Sequence, residues 1–210
     1  MTDLAALHDA YAAEYDAQVV AYESYVAEAL FGLCYAFIAP GERLLDLGIG
    51  SGLSAAPFAR AGLRVSGMDF SAAMLDRCRA KGFVEDLRQH DLQQTPWPYA
   101  GASFDHVIAC GVFHFLSELA AVFAEAGRIL RPGGLLAFST KWPVAMLSPG
   151  QPFERQAAGE LDVFSHSPEV VAALLEQGGF NRQRLLRCLV GQDIHGIWVA
   201  RRQASKDDRH

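Results

Sequence analysis

The sequence predicts an α/β fold: a doubly wound, mostly parallel seven-stranded sheet with helices on both faces and an antiparallel last strand. Three observations carry that expectation. Short apolar runs alternate with helical segments from Arg43 to Thr140, the pattern of a sheet layered by helices. The first run, Arg43-Leu44-Leu45-Asp46-Leu47, passes directly into a glycine-rich turn, Gly48-Ile49-Gly50-Ser51-Gly52, and then into a helix. At the far end two runs, Arg184 to Val190 and Ile194 to Ala200, are joined by Gly191-Gln192-Asp193, a polar turn that suits antiparallel neighbours.

With 210 residues, 51% of them apolar, the chain is long enough for one good core and too short for two ordinary domains. Leu4 to Ile38 is rich in Ala, Leu, Tyr and Val and has neither Gly nor Pro before Gly32, so one or two helices are expected, and residues 1–38 are read as an N-terminal helical lid. Pro40-Gly41 ends it. After the glycine turn, Leu53 to Ala61 is expected as a helix with Pro57 near its first turn, where proline is tolerated. Leu63 to Met68 is the second strand, closed by Asp69, and Ser71 is placed to cap a helix over Ala72 to Ala80.

Phe83 to His90 reads as a strand with charges inside its apolar pattern, and Phe104 to Ala109 is a clearer one beyond the turn-rich Thr95 to Gly101. A helix over Ser117 to Leu130, a turn at Arg131-Pro132-Gly133-Gly134 and a strand over Leu135 to Thr140 follow. Residues 142–166 lack clear periodicity and contain Pro143, Pro149, Gly150 and Pro152, so they are read as an acceptor-side excursion over the carboxyl edge of the sheet. Ser167-Pro168-Glu169 restarts a helix that ends at Gly178-Gly179. Residues 203–210 are expected to be a disordered tail.

Charge and composition exclude several classes. A formal net charge of -6 argues against a protein that holds nucleic acid through phosphate contacts. Arg182, Arg184, Arg187, Arg201 and Arg202 form a local cationic group, read as a solvated face, with a weak docking patch as the alternative. Cys34, Cys78, Cys110 and Cys188 include no C-x-x-C pair, so neither a redox motif nor a metal site is expected, and free thiols point to a reducing, cytoplasmic setting. No apolar run approaches the roughly 20 residues of a membrane helix.

The chemistry begins at the glycine turn. Glycines at 48, 50 and 52 permit positive φ and remove side chains that would hold a ligand off the backbone, while free amides at the helix start would suit an anionic group. Alone, such a loop also reads as a tight structural turn. Its spacing departs from the dinucleotide pattern G-x-G-x-x-G, which would place its third glycine at position 53, where the chain has Leu53.

Asp46-Leu47-Gly48-Ile49-Gly50-Ser51-Gly52 resembles the D-x-G-x-G-x-G loop of class I S-adenosylmethionine (SAM)-dependent methyltransferases, a Rossmann-like fold. Met68-Asp69-Phe70-Ser71 with Met74-Leu75 resembles that family's second motif, and the resemblance implies that Asp69 binds the ribose hydroxyls, with Phe70 and Met74 in the same site. His90-Asp91-Leu92 matches the third motif by position, implying that Asp91 accepts from the adenine amino group and that the Leu92 amide meets the ring. Ser103-Phe104-Asp105, Arg128-Ile129-Leu130-Arg131-Pro132-Gly133-Gly134 and Gly178-Gly179-Phe180 continue the resemblance, which covers roughly Arg43 to Ala200. Arg128 to Gly134 is the most specific string, and its role is structural. Ile49 departs from the small or cysteine residue common in the loop, but only its backbone need approach the ligand.

The resemblance implies transfer of the SAM methyl group to an acceptor by in-line displacement, with S-adenosylhomocysteine leaving. Gly48, Ile49, Gly50, Gly52, Cys110 and Gly111 would line the cofactor, and Asp46 would help hold its ammonium or simply pack at a strand end. His114, in Cys110-Gly111-Val112-Phe113-His114-Phe115, is the candidate base because histidine titrates near neutrality; a hydrogen-bonded structural histidine is the equal alternative. Tyr15 and His166 are placed either at the site or, with Tyr11, Tyr22 and Tyr25, among packing residues. No Asn-Pro-Pro-Tyr follows the fourth strand, so a small-molecule acceptor is expected, with a protein acceptor left open and no nucleic acid or membrane partner. A SAM-binding assembly or regulatory protein without turnover, and an NAD-dependent oxidoreductase, are the competing readings. The sequence carries no signal of oligomeric state.

Overall fold

The computed structural model describes residues 14–22, 24–148, 150–159 and 161–204. The expected helix up to residue 13, Tyr11 within it, Pro149 of the excursion and the expected tail disorder from residue 205 lie outside the described residues. In chain order the elements are α1 (Tyr15–Ala21), α2 (Val26–Cys34), β1 (Arg43–Leu47), α3 (Ala56–Arg60), β2 (Arg64–Asp69), α4 (Ala72–Ala80), β3 (Val84–Gln89) and β4 (Phe104–Ala109). There follow α5 (Ala120–Ile129), β5 (Leu130–Trp142), β6 (Phe153–Ala158), β7 (Leu161–His166), α6 (Pro168–Gln177), β8 (Phe180–Val190) and β9 (Asp193–Arg202).

Seven strands form one sheet in the order β3-β2-β1-β4-β5-β9-β8. Pairings from β3 through β5 are parallel, and β9 runs antiparallel to both β5 and β8. Strand order therefore reverses at β1, between β2 on one side and β4 on the other. Such a reversal leaves a crevice at the carboxyl ends of the two strands, since the connections leave in opposite directions.

Both faces are covered, which explains why β1 is buried from Leu44 to Leu47 rather than alternating between buried and exposed. Against one face, Leu45, Leu47, Val107, Leu136, Phe138 and Trp198 pack with Phe123 and Ile129 of α5 and Val171 and Leu175 of α6. Against the other, Leu44, Val65, Ile108, Ala137 and Val199 pack with Leu30 of α2, Phe58 of α3 and Leu75 of α4. Each such large apolar side chain contributes roughly 1.5–3 kcal/mol on full burial. The two expected helix starts are capped as the sequence reads: Ser71 Oγ accepts from Met74 N at 3.1 Å, and Ser167 Oγ accepts from Val170 N at 3.5 Å.

Three elements differ from expectation. The helix after the glycine turn is confined to α3 rather than Leu53 to Ala61, because Gly52 takes φ +89° and Pro57 has no amide to extend the ladder backwards. Arg131-Pro132-Gly133-Gly134 is no turn; it runs inside β5 as a bulge, where pairing jumps from Phe104–Leu130 to His106–Leu135. A Cβ at Gly134 would stand 2.6 Å from the Asp105 carbonyl oxygen and 2.9 Å from that of Arg131, so only glycine fits. Arg128, just ahead of the bulge, donates to the carbonyls of Tyr99 at 2.8 Å and Trp97 at 3.1 Å and pairs with Glu125 at 2.7 Å.

Residues 142–166 contain a two-stranded ribbon, β6 against β7, held by the edge-to-face pair Phe153–Phe164 at 5.0 Å and the ion pair Arg155–Asp162 at 2.7 Å. Half-exposed strands of mixed polarity carry little periodicity, which is why the sequence reads there as irregular. Arg184 and Arg201 lie over the Phe37 ring, at 4.8 and 5.7 Å, and Arg182 and Arg187 stand exposed on β8, the outer strand of the sheet. Among the described residues no helix is long and apolar enough to cross a membrane.

The glycine contacts give an opposed pair of expected outcomes. Gly134→Ala should cost about 1–3 kcal/mol, because backbone rather than a pliable side chain opposes the new methyl. Gly32→Ala, within α2 with nothing within 4 Å, should gain about 0.5–1 kcal/mol. Urea unfolding of the two variants checks both signs.

Candidate active site

A cavity of about 950 Å³ opens at the carboxyl edge of the sheet over the β1/β4 crevice, at the upper end of the range for small-molecule sites. One end is bounded by Gly48, Gly50, Asp69, Phe70, Met74, Asp91 and Leu92, all expected from the sequence. The middle is bounded by Tyr15 of α1 and by Cys110 and Gly111 after β4. His114, Ser139, Lys141, Asp193 and His195 mark the other end, walled by Leu161 and Val163 of the ribbon.

The loop is tied down by its own strands. Ile49 N donates to the Met68 carbonyl at 3.1 Å, Gly50 N to Asp69 Oδ2 at 2.9 Å and Gly52 N to the Ile49 carbonyl at 2.8 Å. These three amides are therefore committed, contrary to the expectation of free donors for an anion. What the loop offers instead is space: at Gly50, with φ +53°, nothing lies within 4 Å of where a Cβ would stand, and the same holds at Gly111, with φ +71°.

Two loop positions turn away from the cavity. The Ile49 side chain is buried against Gly67, where a Cβ would stand 2.4 Å from Ile49 Cδ1. Gly52 backs onto Cys78 Sγ and the Phe83 ring, each 2.9 Å from its absent Cβ, so it is a packing glycine.

Asp69 accepts from Gly50 N through Oδ2 and from Ser71 N, at 2.9 Å, through Oδ1. Asp91 Oδ1 accepts from Gln93 N at 2.9 Å, which sets the turn that brings Leu92 to the cavity wall. Asp46 sits one layer behind the loop, fully buried; Oδ2 accepts from Ser54 Oγ at 2.9 Å, while Oδ1 is buried with no hydrogen-bond partner. Burial pushes its carboxyl up to about 8, opposed by the Ser54 hydrogen bond and helped by the charge of Asp69. An orphaned carboxylate oxygen beside a glycine-lined space, with further acids along the same end, fits a cationic group bearing ammonium or sulfonium charge together with a diol.

The roof is α1. Tyr15 faces the cavity with its phenol pushed to about 12 by burial and by the charges of Cys110, Asp69, Asp16 and Asp46. Asp16 is bound by the Ser51 hydroxyl of the loop and by the Lys81 ammonium at 2.7 Å; partial burial would raise its carboxyl, but these contacts hold it below the usual range. Cys110 is pushed up to about 12, mainly by burial, so it is a thiol rather than a nucleophilic thiolate.

His114 reaches the cavity, yet the expectation that it titrates near neutrality does not hold. Burial, with the charges of His195, Lys141 and His166 adding and Asp193 opposing, pushes it down to about 3. It is a neutral imidazole and a weak base. His166 is not brought to the cavity: Nε2 donates to the Phe113 carbonyl at 3.0 Å and fixes the segment ahead of His114. The cluster of Lys141, Asp193 and His195 escaped the sequence reading. Its one signal was a lysine directly after the expected strand Leu135 to Thr140.

Fold and site together define an α/β protein with one cavity along the carboxyl edge of its sheet at the strand-order reversal, bounded by Asp69 and Asp91 at one end and by Lys141, Asp193 and two histidines at the other. Residues 45–138 match the family model described as a methyltransferase domain. The chain is 36% identical over 129 residues to the malonyl-[acyl-carrier protein] O-methyltransferase of Serratia marcescens, covering 61% of this chain and 49% of that protein. It is 32% identical over 174 residues to a probable S-adenosylmethionine-dependent methyltransferase of Mycolicibacterium smegmatis, covering 81% and 60%. The chain spans about half the length of such relatives. Among solved structures, the Burkholderia thailandensis 1,6-didemethyltoxoflavin-N1-methyltransferase, with its acceptor and S-adenosylhomocysteine bound, superposes with a TM-score of 0.72 at 18% identity, over 94% of this chain and 88% of that one. Residues 45–138 thus resemble a methyltransferase domain, and the fold is one shared with SAM-dependent methyltransferases.

The buried Asp46 yields a pH signature. Its pKa is higher in the folded chain than in the unfolded one, so the folded state holds the extra proton between about pH 4 and 8, and this contribution to stability falls as pH rises through that window. Asp46→Asn should flatten that part of the stability profile and leave the ligand-free protein more stable above pH 8. Thermal unfolding from pH 5 to 9 without cofactor measures it; identical slopes for the two proteins would contradict the assignment.

Proposed function

We propose that this chain is a methyltransferase acting on a small-molecule acceptor, in the cytoplasm, the last on the strength of its four free cysteines. The observation that carries the reading is the continuity of one cavity from the Gly48–Gly50–Asp69 end to the His114–Lys141–His195 end, so donor and acceptor would meet without crossing solvent. When bound, SAM supplies a methyl group already activated by sulfonium charge. The protein's task is then alignment and exclusion of water.

In this reading Asp69 accepts from the ribose hydroxyls, and Asp91 with the Leu92 backbone meets the adenine. Gly48, Gly50, Phe70 and Met74 shape the groove, and Asp46, one layer behind the loop and off the cavity lining, would reach the ammonium through water. Tyr15, Cys110 and Gly111 flank the reacting region. Ile49 and Gly52, turned away, serve the loop's conformation. The N-terminal segment acts as lid and the ribbon as acceptor-side wall. Held by these residues, the cofactor would present its methyl group to a lone pair on the acceptor. His114 accepts a hydrogen bond from the acceptor and positions it; an imidazole with its pKa near 3 does little as a proton sink at neutral pH. Relatives named as O-methyltransferases, and a structural neighbour with a bound small acceptor, support this reading. Committed loop amides and the cavity-lining Leu53 speak against a dinucleotide.

Asp69→Asn loses the charge and one of the two oxygens that take the Gly50 and Ser71 amides, and should weaken S-adenosylhomocysteine binding about tenfold or more together with a modest fall in melting temperature. Isothermal titration decides it, and unchanged affinity counts against the ribose role. Incubation of cell extract with methyl-labelled SAM tests turnover; tight binding with no labelled product would favour the non-catalytic reading.

A further inference from the structure

The acceptor end of the cavity has a charge pattern of its own. Among the described lining residues, Lys141 is the sole lysine or arginine, whereas the cofactor end carries Asp69 and Asp91. Lys141 and His195 are direct partners across the antiparallel β5–β9 pair, so their side chains emerge side by side on one face of the sheet. The Lys141 side chain is 17% exposed, and its ammonium is held by Asp193 at 2.9 Å. An ammonium has three donors, and that contact uses one. His195 and His114 stand beside it uncharged, each pushed down mainly by burial, so they offer hydrogen bonds without adding cationic charge. Around this polar corner the walls are apolar: Val26, Val190, Leu161 and Val163.

From this arrangement we infer that Lys141, with His195 beside it, anchors a carboxylate on the methyl acceptor, whose apolar body lies against the ribbon and α2. The inference rests on the methyltransferase reading and names the acceptor class. Although Asp193 takes one of its donors, the Lys141 ammonium keeps two more at the edge of an apolar chamber for a planar anion, and a neutral imidazole supplies a further N–H. An amine could reach Asp193 only by displacing Lys141 from it, and an alcohol would gain a neutral hydrogen bond of about half the strength. Lys141 is here a specificity-determining residue. Its position at the far end from Asp69 and Asp91 separates it from the cofactor groove.

The test is isothermal titration of the full chain saturated with S-adenosylhomocysteine, using two matched probe sets: octanoate, 1-octanol and octylamine, and 3-phenylpropionate with its alcohol and amine. At least one carboxylate should bind tenfold or more tightly than its alcohol and its amine. Lys141→Met should lose that preference and Lys141→Arg should keep it; if the Met variant fails to fold, Lys141→Gln replaces it. Three results would overturn the inference: no carboxylate preference in the parent chain, a preference that survives Lys141→Met, or loss of S-adenosylhomocysteine affinity in Lys141→Met with carboxylate binding unchanged, which would hand Lys141 to the cofactor's own carboxylate. Failure of the parent chain to bind S-adenosylhomocysteine sinks the cofactor reading instead, and the same probes on the free chain then decide the carboxylate site separately.

Discussion

The reversal of strand order at β1 is the constraint on which the rest depends. Because β2 lies on one side of β1 and β4 on the other, the connections leaving their carboxyl ends diverge, and the backbone between them cannot be covered by either. The hydrogen bond from Gly50 N to Asp69 then fixes the lip of the opening by joining the loop after β1 to the end of β2. The expected cofactor contacts that reach the cavity sit at or just after the ends of β1, β2, β3 and β4, apart from Tyr15 on α1 and Met74 on α4. The acceptor corner sits at β5 and β9 because the antiparallel β9 begins where β5 ends.

Burial sets the electrostatics of this opening more than pairing does. Asp46, Tyr15 and Cys110 are all pushed toward their neutral forms with desolvation as the first cause, and His114 is pushed the same way. Among the described lining residues the Asp, Lys and His side chains outside that group are the acids Asp69 and Asp91, the Lys141–Asp193 pair and His195. A site of this kind suits displacement from a leaving group that carries its own activation, since no strong base is demanded of the protein.

Much of this was legible in the sequence, and the exceptions have physical causes. Strand alternation, the Ser71 and Ser167 caps and the strand-end acids Asp69 and Asp91 are local features, written in consecutive residues. Which glycine faces a ligand is not local: Gly50 opens onto space while Gly52 backs onto Cys78 and Phe83 from distant elements, yet both carry positive φ and look alike in sequence. The basicity of His114 was misjudged for the same reason, because it depends on burial and on charges brought from β5 and β9. Lys141 and His195 meet only through cross-strand register, and the ribbon of residues 153–166 was hidden by its half-exposed faces.

The exposed row on β8 has a consequence for the molecule among its own kind. An outer strand presents unsatisfied amides and carbonyls along one side, a template on which another chain's strand can be laid down. Arg182, Arg184 and Arg187 crowd that border, and on the opposite border β3 carries Glu85, Asp86 and Arg88. Laying one β8 against another would force like charges together and desolvate them, so the same arginines that ornament the surface also weigh against growth of the sheet by β8-to-β8 pairing.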